Sequence, residues 1–188
     1  MKIIIITLPE VFDGETVLVN RLFREEVISR LHLRKPEANE KTMAEWIEQI
    51  DITFRHRIVL HDHHDLALRY QLGGIHLNGR NPHAPEWVTT ERARRFFTLS
   101  RSCHSLQELE QYSEGFDYLF LSPIFDSISK QGYRSAFSTS ELRIAESQGF
   151  LTDKVYALGG VTPDNLEKVE RLGFGGAAML GAFWKQYI

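Results

Sequence analysis

The chain has 188 residues, of which 43% are hydrophobic and 25% are charged, and its formal net charge is −3. We expect one globular domain over residues 1–188, with a substantial core. The slightly negative charge lacks the basic footprint typical of nucleic-acid binding, so we expect no nucleic-acid partner. The single cysteine, Cys103, excludes an intramolecular disulfide and is typical of a reducing compartment. The apolar run Ile3–Ile6 is too short for a signal peptide or a membrane span, which predicts a cytoplasmic protein with no membrane partner.

Short apolar runs alternate with amphipathic segments along the chain. The predicted strands are Lys2–Ile6, Ser29–Leu33, Arg57–His61, Gly74–Leu77, Phe97–Ser100, Tyr118–Leu121, Val155–Leu158 and Gly176–Leu180. The predicted helices lie near Glu15–Glu26, Lys41–Ile50, Asp65–Leu72, Thr90–Arg95, Ser105–Ser113, Ser140–Gln148 and Thr162–Leu172, with a terminal helix from Ala182. Eight strands, each followed by a helix, favour an α/β fold of the (βα)8 TIM-barrel type over an open sheet. The strands are apolar throughout, as expected of a parallel sheet covered on both faces.

Polar side chains follow the carboxyl ends of these strands, where the active sites of (βα)8 barrels lie. They comprise His32, Arg34 and Lys35 at the end of the second strand, His61, Asp62 and His63 at the end of the third, His76 at the fourth, Ser102, Cys103 and His104 at the fifth, and the segment from Ser122 to Lys130 after the sixth. A purely structural barrel would not require this concentration of titratable groups. The default interpretation of His76 is a structural histidine, and that of Asp65 is a residue of the helix cap or first turn.

The segment Val155–Gly181 is predicted to form a strand, a Gly-Gly turn, a helix capped by Thr162, a second strand and a further glycine turn. Glycines directly after two consecutive parallel strands allow backbone amides to approach a phosphate closely. In (βα)8 barrels the phosphate site is commonly formed by the loops after strands seven and eight. The sequence therefore predicts a phosphate site at Gly159, Gly160 and Gly181.

Six segments resemble the thiamine-phosphate synthase/TenI family in order and approximate spacing. They are LHLRK, IVLHDHHDLALRYQLGGIHL, SRSCHS, DYLFLSPIFDSISK, VYALGGVTPDN and GGAAMLGAF. The resemblance implies a (βα)8 barrel that binds a thiazole phosphate. The synthase branch joins that thiazole to hydroxymethylpyrimidine pyrophosphate and releases pyrophosphate with magnesium. The TenI branch is a thiazole tautomerase that moves a proton and needs no metal.

The resemblance also implies roles for individual residues. Gly159, Gly160 and Gly181 would frame the thiazole phosphate, and Arg34 and Lys130 match the cations that hold pyrophosphate. Asp62 matches one of two magnesium carboxylates, and His61 replaces the asparagine before it. The serines that match substrate-contacting hydroxyl residues are Ser102, Ser127 and Ser129. His104 matches the catalytic histidine of TenI-type members.

Departures from the synthase pattern favour the tautomerase. Pro36 replaces a lysine of the synthase motif, and Lys35 should point away from the site because adjacent strand residues face opposite sides. Asn81 replaces the second metal carboxylate, and magnesium prefers anionic oxygen ligands. The leading hypothesis is therefore an isomerase with His104 as acid and base and no cofactor. The alternative is the magnesium-dependent synthase, with pyrimidine pyrophosphate as its second substrate.

Two further hypotheses stay open. A metallohydrolase is suggested by the spacing of His61 and His63, with Asp62 or His32 nearby. A non-catalytic phosphate-binding regulator is compatible with the altered metal residues. The chain could also form a homodimer, on which its sequence carries no signal.

Overall fold

The computed structural model describes residues 1–126 and 135–188. In this part of the chain, eight parallel strands alternate with helices, and the strand order from β1 to β8 is that of a closed barrel. The fold is thus the (βα)8 barrel of the α/β class that the alternating pattern predicts.

The bounds of the elements agree closely with the predicted ones. The strands are β1 Lys2–Ile6, β2 Leu31–Leu33, β3 Ile58–Leu60, β4 Gly74–Leu77, β5 Thr98–Cys103, β6 Tyr118–Leu121, β7 Val155–Ala157 and β8 Gly176–Met179. The α-helices are α1 Glu15–Arg24, α2 Glu40–Glu48, α3 Asp65–Arg69, α4 Trp87–Arg94, α5 Leu106–Gln111, α6 Thr139–Ser147, α7 Leu166–Arg171 and α8 Gly181–Trp184. Short 3-10 helices at Ile52–Arg57 and Pro163–Asn165 precede β3 and α7.

Contacts within the chain define two compact units, which we describe separately. The N-terminal unit is Ile5–Leu99, and the C-terminal unit is Met1–Ile4 together with Ser100–Ile188. The expected single domain over residues 1–188 stays a prediction.

In the N-terminal unit, β1 through β4 pair in parallel in chain order. Leu31, Ile58, Val59 and Leu60 are fully buried, as their apolar runs predict. The register aligns His32 with Val59, and Val59 with Gly74. A Cβ at Gly74 would lie 2.3 Å from the carbonyl oxygen of Thr98, so this strand position requires glycine.

In the C-terminal unit, β5 through β8 also pair in parallel. Ser138 caps the start of α6 in a capping box, in which its hydroxyl accepts from the Glu141 amide and the Glu141 carboxylate accepts from the Ser138 amide. Thr162 precedes a 3-10 turn that starts at Pro163 and leads into α7. The helix signals in the sequence therefore locate both helix starts.

Several predicted boundaries are displaced by about three residues, and α3 ends at Arg69 rather than Leu72. Strand β5 continues to Cys103 rather than ending at Ser100, because Ser102 and Cys103 still pair with Phe120 and Leu121 of β6. Helix α4 begins at Trp87 rather than Thr90. Among the described residues, none of the helices combines the length and apolar character that crossing a membrane requires.

Candidate functional site

The N-terminal unit places a tight turn directly after β4. The backbone amides of Asn78 and Asn81 each donate to the other's carbonyl, both at 3.1 Å. The Asn78 side-chain oxygen also accepts from the amide of Arg80, at 2.9 Å. This turn fixes the positions of Arg80 and Asn81, because asparagine stabilises turns through bonds to the backbone two residues on.

The turn directs two donors onto the Asp62 carboxylate. Nη2 of Arg80 lies 2.8 Å from Oδ1 and 2.9 Å from Oδ2 of Asp62, and the Asn81 amide donates to Oδ1 at 2.8 Å. The Asp62 side chain is 12% exposed and that of Arg80 is 45% exposed. A charge-assisted pair of this geometry is stronger than a neutral hydrogen bond and neutralises the carboxylate.

The residues around Asp62 do not fit a magnesium ion. Magnesium requires hard oxygen ligands and normally at least one free carboxylate. Here the carboxylate accepts three hydrogen bonds, and a guanidinium supplies the cation beside it. Asn81 also directs its NH2 group, and not its oxygen, at Asp62. The predicted metal role of Asp62 therefore finds no support in its surroundings.

Arg34 follows β2 and is half-buried. The backbone amide of Arg34 donates to the Thr7 hydroxyl at 2.9 Å, which fixes the backbone from which the Arg34 side chain extends. Burial, followed by the positive charge of Arg80, lowers the pKa of Arg34, whereas the Asp62 carboxylate acts in the opposite direction. Two guanidinium groups thus act electrostatically around one carboxylate, which leaves an excess of positive charge suited to an anionic ligand.

Lys35 points away from this group, as the strand geometry predicts. Its ammonium group donates to Glu15 at 2.7 Å and to the carbonyl oxygens of Leu8 and Glu10 at 2.8 and 2.7 Å. Both side chains of the ion pair are at most 1% exposed, and Trp46 donates to the other Glu15 oxygen at 2.9 Å. Lys35 is therefore a structural residue that ties the β1–α1 segment to β2.

Three buried histidines of the N-terminal unit lie in contact. Nδ1 of His32 is 2.9 Å from Nε2 of His61, and the rings of His61 and His76 stack with centroids 4.2 Å apart. Burial is the main cause that lowers the pKa values of His32 and His61 well below the usual histidine range. All three rings are at most 4% exposed. The sequence suggests His32 near His61 as a candidate metal ligand and His76 as a structural histidine, but it does not predict a cluster of all three.

The metal pair suggested by the spacing of His61 and His63 does not form. Nε2 of His63 lies 2.8 Å from the carbonyl oxygen of Ala38, and His63 adopts a positive φ of 52°. His61 instead packs on His32 and His76. The expectation fails because the backbone turns sharply after β3, so that residues two apart no longer share a face. Asp65 opens α3, in agreement with its predicted first-turn position.

The C-terminal unit contains a cavity of ≈ 470 Å³ lined by all three predicted phosphate-site glycines. Gly159 and Gly160 have φ values of 90° and 65°, which L residues rarely adopt. A Cβ at Gly160 would lie 2.5 Å from the Asp126 carbonyl oxygen, and one at Gly159 would lie 2.8 Å from Cα of Pro123. Both positions therefore require glycine, for conformation and for space. Lys185 and Gln186 also line the cavity, and sequence reasoning did not identify them.

His104 follows β5 and is exposed. Its Nδ1 lies 3.1 Å from the Ser122 carbonyl oxygen and 3.3 Å from the Ser122 hydroxyl. A neutral imidazole that donates from Nδ1 to this carbonyl keeps its lone pair on Nε2. This is the tautomer that a general base at Nε2 requires.

The remaining predicted residues give less information. Ser102 is half-buried on β5, and Cys103 beside it is fully buried. Burial raises the pKa of the Cys103 thiol to about 12, so this cysteine stays protonated at neutral pH. The other predicted contacts fall on Ser127, Ser129 and Lys130, which lie outside the described residues.

This fold, with titratable side chains and glycine turns after its strands, defines a (βα)8-barrel enzyme. A model of the family described as thiamine monophosphate synthase (TMP-TENI) matches residues 4–183. The chain belongs to this family, as the resemblance of its motifs predicts.

Three relatives illustrate the match. A crystal structure of thiamine phosphate pyrophosphorylase from Bacteroides thetaiotaomicron superposes with a TM-score of 0.85 and 37% identity, over 100% of this chain and 87% of that one. Thiamine-phosphate synthase of Geobacillus thermodenitrificans is 27% identical over 93% of this chain and 75% of its own length. Thiamine-phosphate synthase of Thermus thermophilus is 35% identical over 61% of this chain and 53% of its own length.

Proposed function

We propose that this protein is a thiamine-phosphate synthase, which joins a thiazole phosphate to hydroxymethylpyrimidine pyrophosphate and releases pyrophosphate. The names of its relatives favour this alternative over the leading tautomerase hypothesis. The observation that carries the proposal is that each unit contains a group of residues suited to an anion. A synthase has two phosphorylated substrates, whereas a tautomerase has one.

In the C-terminal unit, the cavity framed by Gly159, Gly160 and Gly181 would take the thiazole phosphate. Turns with glycine at positive φ form concave arrangements of backbone amides that bind anions. Lys185, which lines the same cavity, would add a cation. The volume of ≈ 470 Å³ lies within the range of small-ligand sites.

In the N-terminal unit, Arg34 and Arg80 would hold the pyrophosphate. Negative charge grows on pyrophosphate as it leaves, and positioned guanidinium groups stabilise such charge. Asp62 holds Arg80 in place and needs no metal for that role. We therefore expect coupling without magnesium, with Arg80 as the cation beside Asp62.

The test is an incubation of the full chain with both precursors, in magnesium and in excess chelator, with detection of thiamine phosphate and pyrophosphate by mass spectrometry. We expect both products under both conditions. Arg34→Gln should lower turnover strongly, whereas Arg94→Gln, a change at an exposed arginine of α4, should leave it unchanged. Absence of product under every condition would contradict the proposal.

The orientation of His104 supports a second candidate, the thiazole tautomerase. A hydrogen bond from Nδ1 to the Ser122 carbonyl oxygen favours the tautomer that a base at Nε2 needs. This function predicts isomerisation of the thiazole carboxylate phosphate with chelator present and no pyrimidine substrate. Loss of that activity in His104→Asn, with retained coupling of the two precursors, would assign both reactions to the chain.

A further inference from the structure

The histidine cluster of the N-terminal unit has the composition of a transition-metal site. The three residues each offer one ring nitrogen, and these nitrogens all lie within 4.8 Å of one another. His32 comes from β2, His61 follows β3 and His76 lies on β4. Ligands on adjacent strands are held more rigidly than ligands on loops.

We propose that His32, His61 and His76 form a three-imidazole site for a divalent transition-metal ion of the zinc type. Imidazole nitrogen is a borderline-soft ligand that suits zinc, cobalt, nickel and copper and not magnesium. A set of three histidines leaves one position of a tetrahedral ion open for water or a ligand oxygen. The site is distinct from the Asp62 group, whose carboxylate Arg80 neutralises.

The observed spacing is close to that of a loaded site. Zinc–nitrogen bonds of about 2.0–2.1 Å place tetrahedral nitrogen ligands roughly 3.3 Å apart. The His32 and His61 nitrogens are 2.9 Å apart, and the full set spans at most 4.8 Å. The rings of His61 and His76, which stack with centroids 4.2 Å apart, must rotate so that their in-plane lone pairs converge on the ion. The His32–His61 hydrogen bond must break, and the ring that donates it must carry its proton on its other nitrogen, so that both facing nitrogens offer a lone pair.

Burial gives the cluster two further properties of metal ligands. All three rings are at most 4% exposed, and burial lowers the pKa of His32 and His61, so neutral imidazoles are available at neutral pH. The strand residues next to His32 and His61 in the chain, Leu31 and Leu60, are fully buried as well, so both histidines belong to well-packed parts of the sheet. The ion therefore meets three buried imidazoles that come from neighbouring strands.

The experiment uses untagged full-length protein, stripped with chelator and titrated with Zn²⁺ alone. We expect one tightly bound ion per chain and a raised melting temperature. Substitution of a residue that only hydrogen-bonds a metal ligand typically weakens metal binding by ~10–100-fold. The variants His32→Asn and His76→Asn remove a ligand itself, so they should weaken Zn²⁺ binding by more than that. The matched control is His83→Gln, which removes an exposed histidine and should bind as the wild type does.

Zinc binding that is equal in the cluster variants and the control would overturn the proposal, as would a stripped protein that binds no Zn²⁺. Should the buried variants fail to fold, the wild type decides alone. The X-ray absorption spectrum of the zinc-loaded wild type must then show three imidazole ligands. The Co²⁺-loaded wild type must show the visible absorption bands of a four-coordinate ion with nitrogen ligands. A shell dominated by oxygen would also overturn the assignment. None of these measurements depends on coupling activity, so their failure and that of the proposed function are distinguishable.

Discussion

The two units present anion-suited groups that are built in different ways. In the N-terminal unit the group consists of side chains, Arg34 and Arg80 around Asp62, supported by a buried ion pair. In the C-terminal unit it consists of backbone turns at Gly159 and Gly160, which tolerate no Cβ. The first depends on charge and its neutralisation, and the second depends on conformation and space.

This difference teaches how each group can change its chemistry. The charge of a group made of side chains can be altered by single substitutions. Asn81, which replaces a carboxylate of the synthase pattern, is an example, and both Asn81 and Arg80 donate to Asp62. A group made of backbone turns tolerates few substitutions, because any side chain at Gly160 overlaps with the backbone of Asp126. We therefore expect the phosphate function to be fixed by the fold and the pyrophosphate function to be adjustable.

The largest expected effect follows from breaking the support of the N-terminal group. Lys35→Met leaves the Glu15 carboxylate buried beside Trp46 without its cation. Breaking a buried pair in this way costs about 3–5 kcal/mol of unfolding free energy. Denaturant unfolding followed by circular dichroism measures the loss.

The matched control is Lys41→Met, which removes an exposed ion pair with Glu45. Such pairs contribute about 0.3–0.5 kcal/mol. Equal losses in the two variants would contradict a supporting role for the buried pair. Arg34→Gln sharpens the result, since it should reduce pyrophosphate binding and leave stability nearly unchanged.

The next effect breaks the C-terminal group. Gly160→Ala forces a side chain into a φ of +65° and to 2.5 Å from a carbonyl oxygen. Left-handed strain of about 1–2 kcal/mol and a similar overpacking cost should combine to abolish binding of the thiazole phosphate. Calorimetric titration and thermal melting measure both consequences.

The variant Gly149→Ala separates the effect of backbone strain from that of steric overlap. Gly149 has a comparable φ of +80°, but nothing lies within 4 Å of the added Cβ. The free energy of unfolding of this variant should fall only by the backbone strain, about 1–2 kcal/mol, and ligand binding should be unchanged. Retained binding in Gly160→Ala would show that the turn is not the phosphate site.

A smaller effect is expected for Arg80→Ala, which tests whether the Arg80 guanidinium takes the role of magnesium beside Asp62. Arg80→Ala should lower turnover by roughly 100-fold, the lower limit for loss of a charge-stabilising donor, because this side chain is 45% exposed. Combining Arg80→Ala with Asn81→Asp frees one carboxylate and adds a second. That double variant should regain activity only with magnesium. Steady-state rates with and without chelator are the measurement, and chelator-sensitive wild type would contradict the model.

The sequence predicts the barrel because its strand and helix signals are local. Apolar runs define the strands, and Thr162 followed by Pro163 marks the start of a helical segment. The glycine turn is equally accessible, since glycines directly after a strand indicate a turn at positive φ, whereas the lack of space beside Pro123 and Asp126 is visible only in the structure. In both cases the determining information lies within a few residues.

The side-chain group and the histidine cluster are not predictable in this way. Arg80 lies 18 positions from Asp62, and only the turn set by Asn78 brings them together. His32 and His61 are 29 positions apart, and their contact depends on strand register. The resemblance identified the loss of a carboxylate at Asn81 but gave no reason to expect that Arg80 would occupy the same place.

The smallest expected effect on the coupling reaction concerns His104, and it separates the two proposed reactions. His104→Gln keeps a polar side chain at an exposed position, so stability should hardly change. General acid–base catalysis contributes typically about 10²–10⁴-fold, so the tautomerase must lose about that much in the variant. Coupling depends on positioning and on stabilisation of the leaving group, so its rate should fall by much less than about tenfold. A loss of coupling as large as that of isomerisation would place His104 in both reactions. It would also mean that the C-terminal unit supplies a proton-transferring side chain as well as a phosphate turn.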